Sequence, residues 1–261
     1  MERQINRSTP DEMSVTFLSE GYRLLGNLHL PREKAPVILF SHGLASSKDS
    51  EKWVALACRL YDEGYAVLRF SYRGCGLGEE WSEGTSEDTT LTSRVRDYEA
   101  ALEFLRSSGK VDANRIGVIG SSLGVCTAIA AGSPLVKNYV FLATPPRMIA
   151  TPEMKESFEK KGYFEFANSG DPIPFRITRA LFDDFQKYNM FELIKRIQSP
   201  VLMVQGSKDQ IPIKDVRRLY DGANEPRRLE IIEGGSHSFI DNPEHLAKVI
   251  DLTIDWFKRY L

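Results

Sequence analysis

The sequence predicts an α/β fold: an eight-stranded, mainly parallel sheet with helices on both faces and an inserted cap. From residue 37 onward, short apolar runs alternate with segments of helical periodicity, which is typical of βαβ units with right-handed crossovers. The run Val37-Ile38-Leu39-Phe40 has no polar break, as expected of a parallel strand covered on both faces. A long stretch between the fourth and fifth parallel strands exceeds what one crossover needs, and it predicts the cap.

The elements are predicted in order along the chain. Segments 13–18 and 22–30 alternate apolar and polar residues around Glu20-Gly21, which predicts an antiparallel hairpin at the edge of the sheet. The remaining strands are predicted at 37–40, 65–70, 115–119, 139–142, 201–204 and 229–232. Helices are predicted at 53–61, 89–105, 123–131, 216–220 and 245–260.

The predicted domain organisation has one core and one insertion. Residues 1–143 and 200–261 form the core, and residues 144–199 form the cap, or lid, over the carboxyl edge of the sheet. Within the cap, helical pieces are predicted at 153–161, 175–187 and 191–197, with a short extended segment at 163–166.

Composition excludes several classes of partner. The 34 basic and 36 acidic residues give a net charge of −2, so the charge gives no reason to expect nucleic acid or an anionic membrane. The first thirteen residues are polar, and no run of 18 apolar residues occurs, so we expect a soluble cytoplasmic protein. The three cysteines are too few and too scattered to predict a disulfide framework or a zinc site. The oligomeric state stays open, a homodimer included.

The segment Gly120-Ser121-Ser122-Leu123-Gly124 matches the G-x-S-x-G pattern and joins a predicted strand to a predicted helix. In such a turn the backbone is strained and the serine hydroxyl stands clear of the sheet. The glycines must occupy positions −2 and +2, so the register selects Ser122 as the nucleophile and leaves Ser121 as the variable residue. A plain Gly/Ser turn is the alternative, which the strand–turn–helix context disfavours.

A serine nucleophile needs a base, and the sequence has four histidines: His29, His42, His237 and His245. His29 lies in the hairpin, His42 in the turn after the first parallel strand, and His245 on the last helix. His237 follows the final strand and therefore lies at the same edge of the sheet as the elbow. His237 is the predicted base.

The acid should be a carboxylate between the serine and the histidine in chain order. Asp209 lies in the loop that leaves the strand at 201–204, where it can accept the Nδ1–H of the base. Asp215 is the main rival but falls on the following helix, and Asp241 is interpreted as capping the last helix together with Asn242. The backbone N–H groups of Leu123 and Leu44 are the predicted oxyanion donors.

The motifs Ser-His-Gly at 41–43, Gly-Ser-Ser-Leu-Gly at 120–124, Gly-Ser-Lys-Asp at 206–209 and Gly-Ser-His-Ser-Phe at 235–239 occur in that order. With them the sequence resembles the α/β-hydrolase superfamily over nearly its whole length. Segments 42–48 and 68–74 look like small carboxylesterases of the feruloyl/cinnamoyl type. The resemblance implies a serine esterase that acts through an acyl-enzyme on a small-molecule ester, with no cofactor and no metal. A peptidase or thioesterase with the same triad, or a non-catalytic binding homologue, stays open.

Seven of the fourteen phenylalanines fall in the predicted cap, at 158, 164, 166, 175, 182, 185 and 191. Two interpretations are open: these side chains form the cap's own core, or some of them face Ser122 and form an aromatic or acyl pocket. The expected pocket residues are His42 and Ser121, the latter with helix capping as its alternative, and on the second interpretation Phe164, Phe166 and Phe182.

Overall fold

The computed structural model describes residues 11–166 and 174–261. The strands are β1 (Glu12–Ser19), β2 (Tyr22–His29), β3 (Ala35–Ser41), β4 (Ala66–Phe70), β5 (Gly76–Leu77), β6 (Glu80–Trp81), β7 (Val111–Ser121), β8 (Val136–Leu142), β9 (Tyr163–Phe166), β10 (Phe175–Thr178), β11 (Val201–Gly206) and β12 (Arg227–Ile232). The helices are α1 (Glu51–Asp62), α2 (Leu91–Ser107), α3 (Leu123–Ala131), α4 (Pro152–Lys161), α5 (Arg179–Phe185), α6 (Met190–Leu193), α7 (Ile213–Gly222) and α8 (Pro243–Tyr260).

The main sheet has eight strands in the order β1-β2-β4-β3-β7-β8-β11-β12. The six strands from β4 to β12 in that order run parallel, and β2 pairs antiparallel with both β1 and β4. At the hairpin turn, Glu20 and Gly21 have φ of 49° and 89°, the left-handed pair that matches the twist of a two-residue hairpin. The predicted mainly parallel sheet with an antiparallel edge is confirmed.

Strand β3 shows how the sheet is covered on both faces. All its residues are buried. Val37 and Leu39 join an apolar cluster with residues of α2 and α3, whereas Ile38 and Phe40 join a second cluster with residues of α1 and α8. Because successive side chains of a strand point to opposite faces, an unbroken apolar run requires a helical layer on each side.

The segment between β8 and β11 contains α4, β9, β10, α5 and α6. A helix was expected from residue 175, but Phe175–Thr178 is a strand that pairs antiparallel with β9, and the helix begins at Arg179. The physical reason is a period of two: Phe175 and Ile177 are buried and Arg176 between them is not. Part of the predicted cap, residues 167–173, lies outside the described residues, and the division into core and cap stays a prediction.

Asp184 of α5 ties this segment to the rest of the molecule. Its carboxylate accepts hydrogen bonds from the backbone N–H and the hydroxyl of Thr92, at 2.8 and 2.9 Å, in the first turn of α2.

In the described ranges, no helix combines the length and the apolar character that a membrane crossing requires.

Candidate active site

Ser122 lies in the turn between β7 and α3 with φ 53° and ψ −123°. An L-residue rarely adopts this left-handed conformation, and holding one there costs on the order of 1–3 kcal/mol. The Ser122 N–H donates to the carbonyl of Leu142 at the end of β8, 2.9 Å away, which fixes the turn to the sheet. The strained turn has the geometry of a nucleophile elbow.

The glycines flanking the elbow are required by close backbone contacts. A Cβ on Gly124 would lie 1.9 Å from the carbonyl oxygen of Ser41, and one on Gly120 would lie 2.9 Å from the Cα of Val125. Side chains at these positions would push α3 away from the ends of β3 and β7. The G-x-S-x-G spacing therefore follows from how tightly α3 crosses the sheet.

Asp209 and His237 form a hydrogen-bonded pair at the carboxyl edge of the sheet. His237 Nδ1–H donates to Asp209 Oδ2 at 2.9 Å and to Oδ1 at 3.0 Å. The carboxylate also accepts from the Ile211 N–H at 3.0 Å and from Gln205 Nε2 at 2.8 Å, and its side chain is fully buried. Since a carboxylate accepts but does not donate, the ring hydrogen resides on Nδ1 and leaves Nε2 to accept a proton.

The environment of Asp209 favours its ionised form. Burial by itself raises the pKa of the carboxyl group, but the hydrogen bonds from His237, Ile211 and Gln205 hold the pKa below its usual value. A negative charge therefore stands behind the imidazole at neutral pH, where it stabilises an imidazolium.

The loops that carry the acid and the base are bonded to each other. The Lys208 N–H donates to the carbonyl of Gly235 at 2.9 Å, and the Gly234 N–H donates to Ser207 Oγ at 2.8 Å. A Cβ on Gly206 would lie 2.2 Å from the Gly235 oxygen, so the loops approach closely because Gly206 has no side chain.

Ser122 and His237 line one cavity of about 210 Å³. Its described wall consists of Gly43, Leu44, Ser46, Ser50, Glu51, Lys52, Trp53, Ser121, Ser122, His237, Ser238 and Ile240. Among the described contacts, no hydrogen bond joins the hydroxyl of Ser122 to His237. Such bonds are often long in unliganded sites and tighten when a substrate binds.

The predicted oxyanion donors lie beside Ser122. Leu123 follows it as the first residue of α3, where a helix has backbone N–H groups without an intrahelical acceptor. Leu44 lines the cavity, and the adjacent Gly43 is close enough that a Cβ on it would be 3.2 Å from the Ser122 Cβ. The structure thus places Leu44 in the cavity wall and Leu123 directly after the nucleophile at the start of α3.

Of the five expected pocket residues, Ser121 lines the cavity and His42 does not. The His42 side chain turns inward, where its Nδ1–H donates to the Gly43 carbonyl at 2.8 Å and its Nε2 accepts from the Tyr72 N–H at 3.1 Å. Burial lowers the pKa of His42 well below its usual value, so the ring is neutral. His42 supports the turn from behind, which corrects its expected place in the pocket.

The other three expected pocket residues, Phe164, Phe166 and Phe182, also lie outside this cavity. Phe164 packs on Phe166 and Phe182 on Phe158, with ring centroids 5.3 and 5.7 Å apart. Phe182 belongs to the apolar cluster that includes residues of α2 and α3, and the other three pack against that cluster half-buried, so these rings take part in hydrophobic packing. A different phenylalanine, Phe175, lines a second cavity of about 150 Å³ that shares Ser46 and Ser50 with the first.

Two charged residues that the sequence analysis did not select surround the site. Lys52 of α1 is buried in the cavity wall and donates from Nζ to Ser121 Oγ at 2.8 Å; burial lowers its pKa to about 8, against an opposing influence of Asp209. Arg94 of α2 is buried, donates to the His42 carbonyl and lies over the Tyr72 ring at 3.6 Å. Arg94 lies on the buried face of α2 among apolar residues, and a charged residue on the apolar face of a predicted helix is a signal that the sequence contains. Lys52 belongs to no motif, so the sequence contains no comparable signal for it.

Among the described contacts, neither rival acid is bonded to His237. Asp215 is in the first turn of α7. Of the two expected caps of α8, Asn242 is the one that caps the helix, whereas Asp241 accepts from Ser236 Oγ at 2.5 Å. Of the residues described, no group of three or more His, Cys, Asp or Glu side chains is arranged to hold a metal ion.

The eight-stranded sheet, the strained elbow and the histidine–aspartate pair at one sheet edge define an α/β hydrolase. The chain belongs to the alpha/beta hydrolase family, whose model matches residues 38–249.

Similar proteins cover nearly the whole chain. The quorum-quenching protein AidA of Acinetobacter baumannii is 32% identical, with 99% of this chain and 98% of that protein covered. The solved esterase domain of a Rhodothermus marinus protein is 25% identical with a TM-score of 0.70, covering 95% of this chain and 98% of that one. The structure of Est1E from Butyrivibrio proteoclasticus with bound ferulic acid has a TM-score of 0.76 at 19% identity, covering 94% and 99%, which is a likeness of fold.

Proposed function

We propose that the protein is a serine carboxylesterase that hydrolyses small carboxylic esters through an acyl-enzyme on Ser122. The observation that carries the proposal is that His237, whose Nδ1 is bonded to the buried Asp209 carboxylate, lines the same cavity as the strained Ser122 turn. Hydrolase relatives that include an esterase domain support the proposal.

In the proposed mechanism, Ser122 Oγ attacks the carbonyl carbon of the ester while its proton passes to His237 Nε2. The Asp209 carboxylate stabilises the resulting imidazolium. The oxyanion accepts hydrogen bonds from the backbone N–H groups of Leu123 and Leu44. As the intermediate collapses, the C–O bond to the alcohol breaks and His237 gives its proton to the departing oxygen. Water then attacks the acyl-enzyme with His237 as base, and the acid leaves.

The cavity favours a short acyl chain. Its volume of about 210 Å³ is below the roughly 300–1,000 Å³ that is usual for sites that bind drug-sized molecules. The predicted aromatic pocket is not needed for this proposal, because Phe164, Phe166 and Phe182 pack elsewhere. We therefore expect acetate to valerate esters to be better substrates than hydroxycinnamate esters.

The proposal is tested with a fluorophosphonate and with an ester panel. A fluorophosphonate should label the wild type and not Ser122→Ala, with Ser121→Ala as the matched control that still reacts. The panel compares 4-nitrophenyl esters of increasing chain length, a hydroxycinnamate ester, a lactone, a thioester and an aminoacyl amide. Loss of labelling in Ser121→Ala but not in Ser122→Ala would show that the wrong serine had been chosen. Wild type that neither labels nor turns over any ester would overturn the proposal.

A further inference from the structure

The cavity beside Ser122 has a buried cation in its wall. Lys52 is 9% exposed, and its Nζ donates to Ser121 Oγ, one residue before the nucleophile. An ammonium group has three donors, and this bond uses one of them. The remaining donors are therefore available at a wall that Ser122 and His237 also line.

No carboxylate forms an ion pair with Lys52 among the described residues. Lys48, on the same stretch of chain, shows the usual solution for a buried lysine: its Nζ lies 2.7 Å from Asp49 and 2.6 Å from Glu80. A buried charge without a counterion is unfavourable, and proteins normally pair or neutralise it. Lys52 departs from this rule at the cavity that holds the proposed nucleophile.

The other charged groups at this wall leave the Lys52 ammonium available. Asp209 interacts with it electrostatically, but that carboxylate already accepts hydrogen bonds from His237 and two other donors. Glu51, the acidic residue among those described as lining the cavity, is exposed to solvent. Residues 50–53, at the N-terminus of the twelve-residue helix α1, line the same wall, and the helix dipole adds positive potential there.

We infer that Lys52 binds a carboxylate of the substrate, so that the preferred esters carry a second, ionised acid group. This inference rests on the proposed esterase activity at Ser122. The carboxylate would complete the missing ion pair of Lys52 while the ester carbonyl lies at Ser122 in the same cavity. A pKa of about 8 leaves most of Lys52 protonated at pH 7 and much less at pH 9.5.

A matched pair of esters tests the inference. Mono-4-nitrophenyl glutarate and 4-nitrophenyl valerate have acyl chains of similar length, but one ends in a carboxylate and the other in a methyl group. The wild type should prefer the glutarate ester in kcat/KM by about tenfold or more, as expected of a charge-assisted bond. In Lys52→Met the preference should fall about tenfold or more, and Lys52→Arg should retain part of it.

Lys208→Met is the control, because Lys208 is exposed and adjacent to Asp209 but does not line the cavity. It removes the same charge and should keep the ester preference of the wild type within about twofold, since exposed charges are screened. The wild-type preference should also decline between pH 7 and pH 9.5, measured as the ratio of the two esters so that pH effects common to both esters cancel.

A binding measurement keeps the inference separate from catalysis. The variant Ser122→Ala and the double variant Ser122→Ala/Lys52→Met are each titrated with monomethyl glutarate by NMR, after circular dichroism shows that both are folded. Binding that is about tenfold weaker in the double variant supports the anion site at Lys52. If such binding is seen but the wild type hydrolyses no ester, the esterase proposal is overturned and the anion site is not. Equal hydrolysis of both esters, an equal loss for both in Lys52→Met, or no binding of monomethyl glutarate would overturn the inference.

Discussion

Replacing Asp209 by asparagine should separate the role of its charge from the role of its shape. Asparagine has the same size, but one carboxylate oxygen becomes an NH₂ donor. At the Oδ1 position this group would oppose the Ile211 N–H, 3.0 Å away; at Oδ2 it would oppose Gln205 Nε2, 2.8 Å away. In the second arrangement the two opposed donors can be avoided. Gln205 Oε1 has no hydrogen-bond partner among the described residues, so the Gln205 amide can rotate by 180° and accept a hydrogen bond from the NH₂ group of the introduced asparagine through that oxygen.

The expected loss of stability is therefore modest and the expected loss of activity large. One charge-assisted hydrogen bond is weakened, so the free energy of unfolding should fall by about 1–2 kcal/mol. The buried negative charge that stabilises the His237 imidazolium disappears, which in a serine protease triad costs about 10⁴-fold in kcat. We expect a loss of about 10³–10⁴-fold in kcat for a 4-nitrophenyl ester, with KM nearly unchanged.

The assays are steady-state hydrolysis and urea denaturation, with Asp215→Asn as the matched control. Asp215 lies in the first turn of α7, so its replacement should cost about 0.3–1 kcal/mol through the helix dipole and leave hydrolysis intact. Near-normal hydrolysis by Asp209→Asn together with a collapse in Asp215→Asn would refute the reasoning.

Three further outcomes are expected. Ser122→Gly should be more stable than Ser122→Ala by about 1 kcal/mol in urea denaturation, because glycine relieves the strain at φ 53° and offsets its own entropy cost; equal stabilities would contradict the strain. Lys52 has a folded-state pKa of about 8 against 10.5, so burying its charge costs about 3 kcal/mol below pH 8. The stability of the wild type relative to Lys52→Met should therefore rise by about that amount between pH 8 and pH 10.5, and a constant difference would contradict the burial of the charge. Gly206→Ala should lose hydrolysis and about 2 kcal/mol or more of stability, because its Cβ would meet the Gly235 oxygen; a fully active Gly206→Ala would show that the loops tolerate separation.

The sheet could be predicted from the sequence because its signals are local. The run at 37–40 is apolar at every residue, and a strand with a helical layer on each face buries such a run completely. The elbow was predictable for a related reason: Gly120 and Gly124 are set by backbone contacts that admit no side chain. The pairing of His237 with Asp209 followed from chain order, because loops after parallel strands meet at one edge.

The parts that escaped prediction depend on contacts distant in sequence. The helical interpretation of residue 175 onward failed because Phe175 and Ile177 pair with β9, and four residues are too few to show a period. His42 was expected in the pocket since its turn borders the nucleophile, but the ring is held behind that turn by the Tyr72 N–H. Lys52 carries no motif, and its importance appears only when α1 is placed against the elbow.

The hydrogen bonds between the two loops that carry the acid and the base have a consequence for thermal inactivation. Because the Lys208 and Gly234 amides each donate across the junction, neither loop can detach without releasing the other. Deuterium should then enter both amides at one common rate, as in a single cooperative opening. Ser122 is hydrogen-bonded to β8 in the interior and does not depend on these two loops. On warming, the loops should therefore open and separate Asp209 and His237 from Ser122 while Ser122 keeps its position. Hydrolysis should then be lost at a temperature below the midpoint of global unfolding.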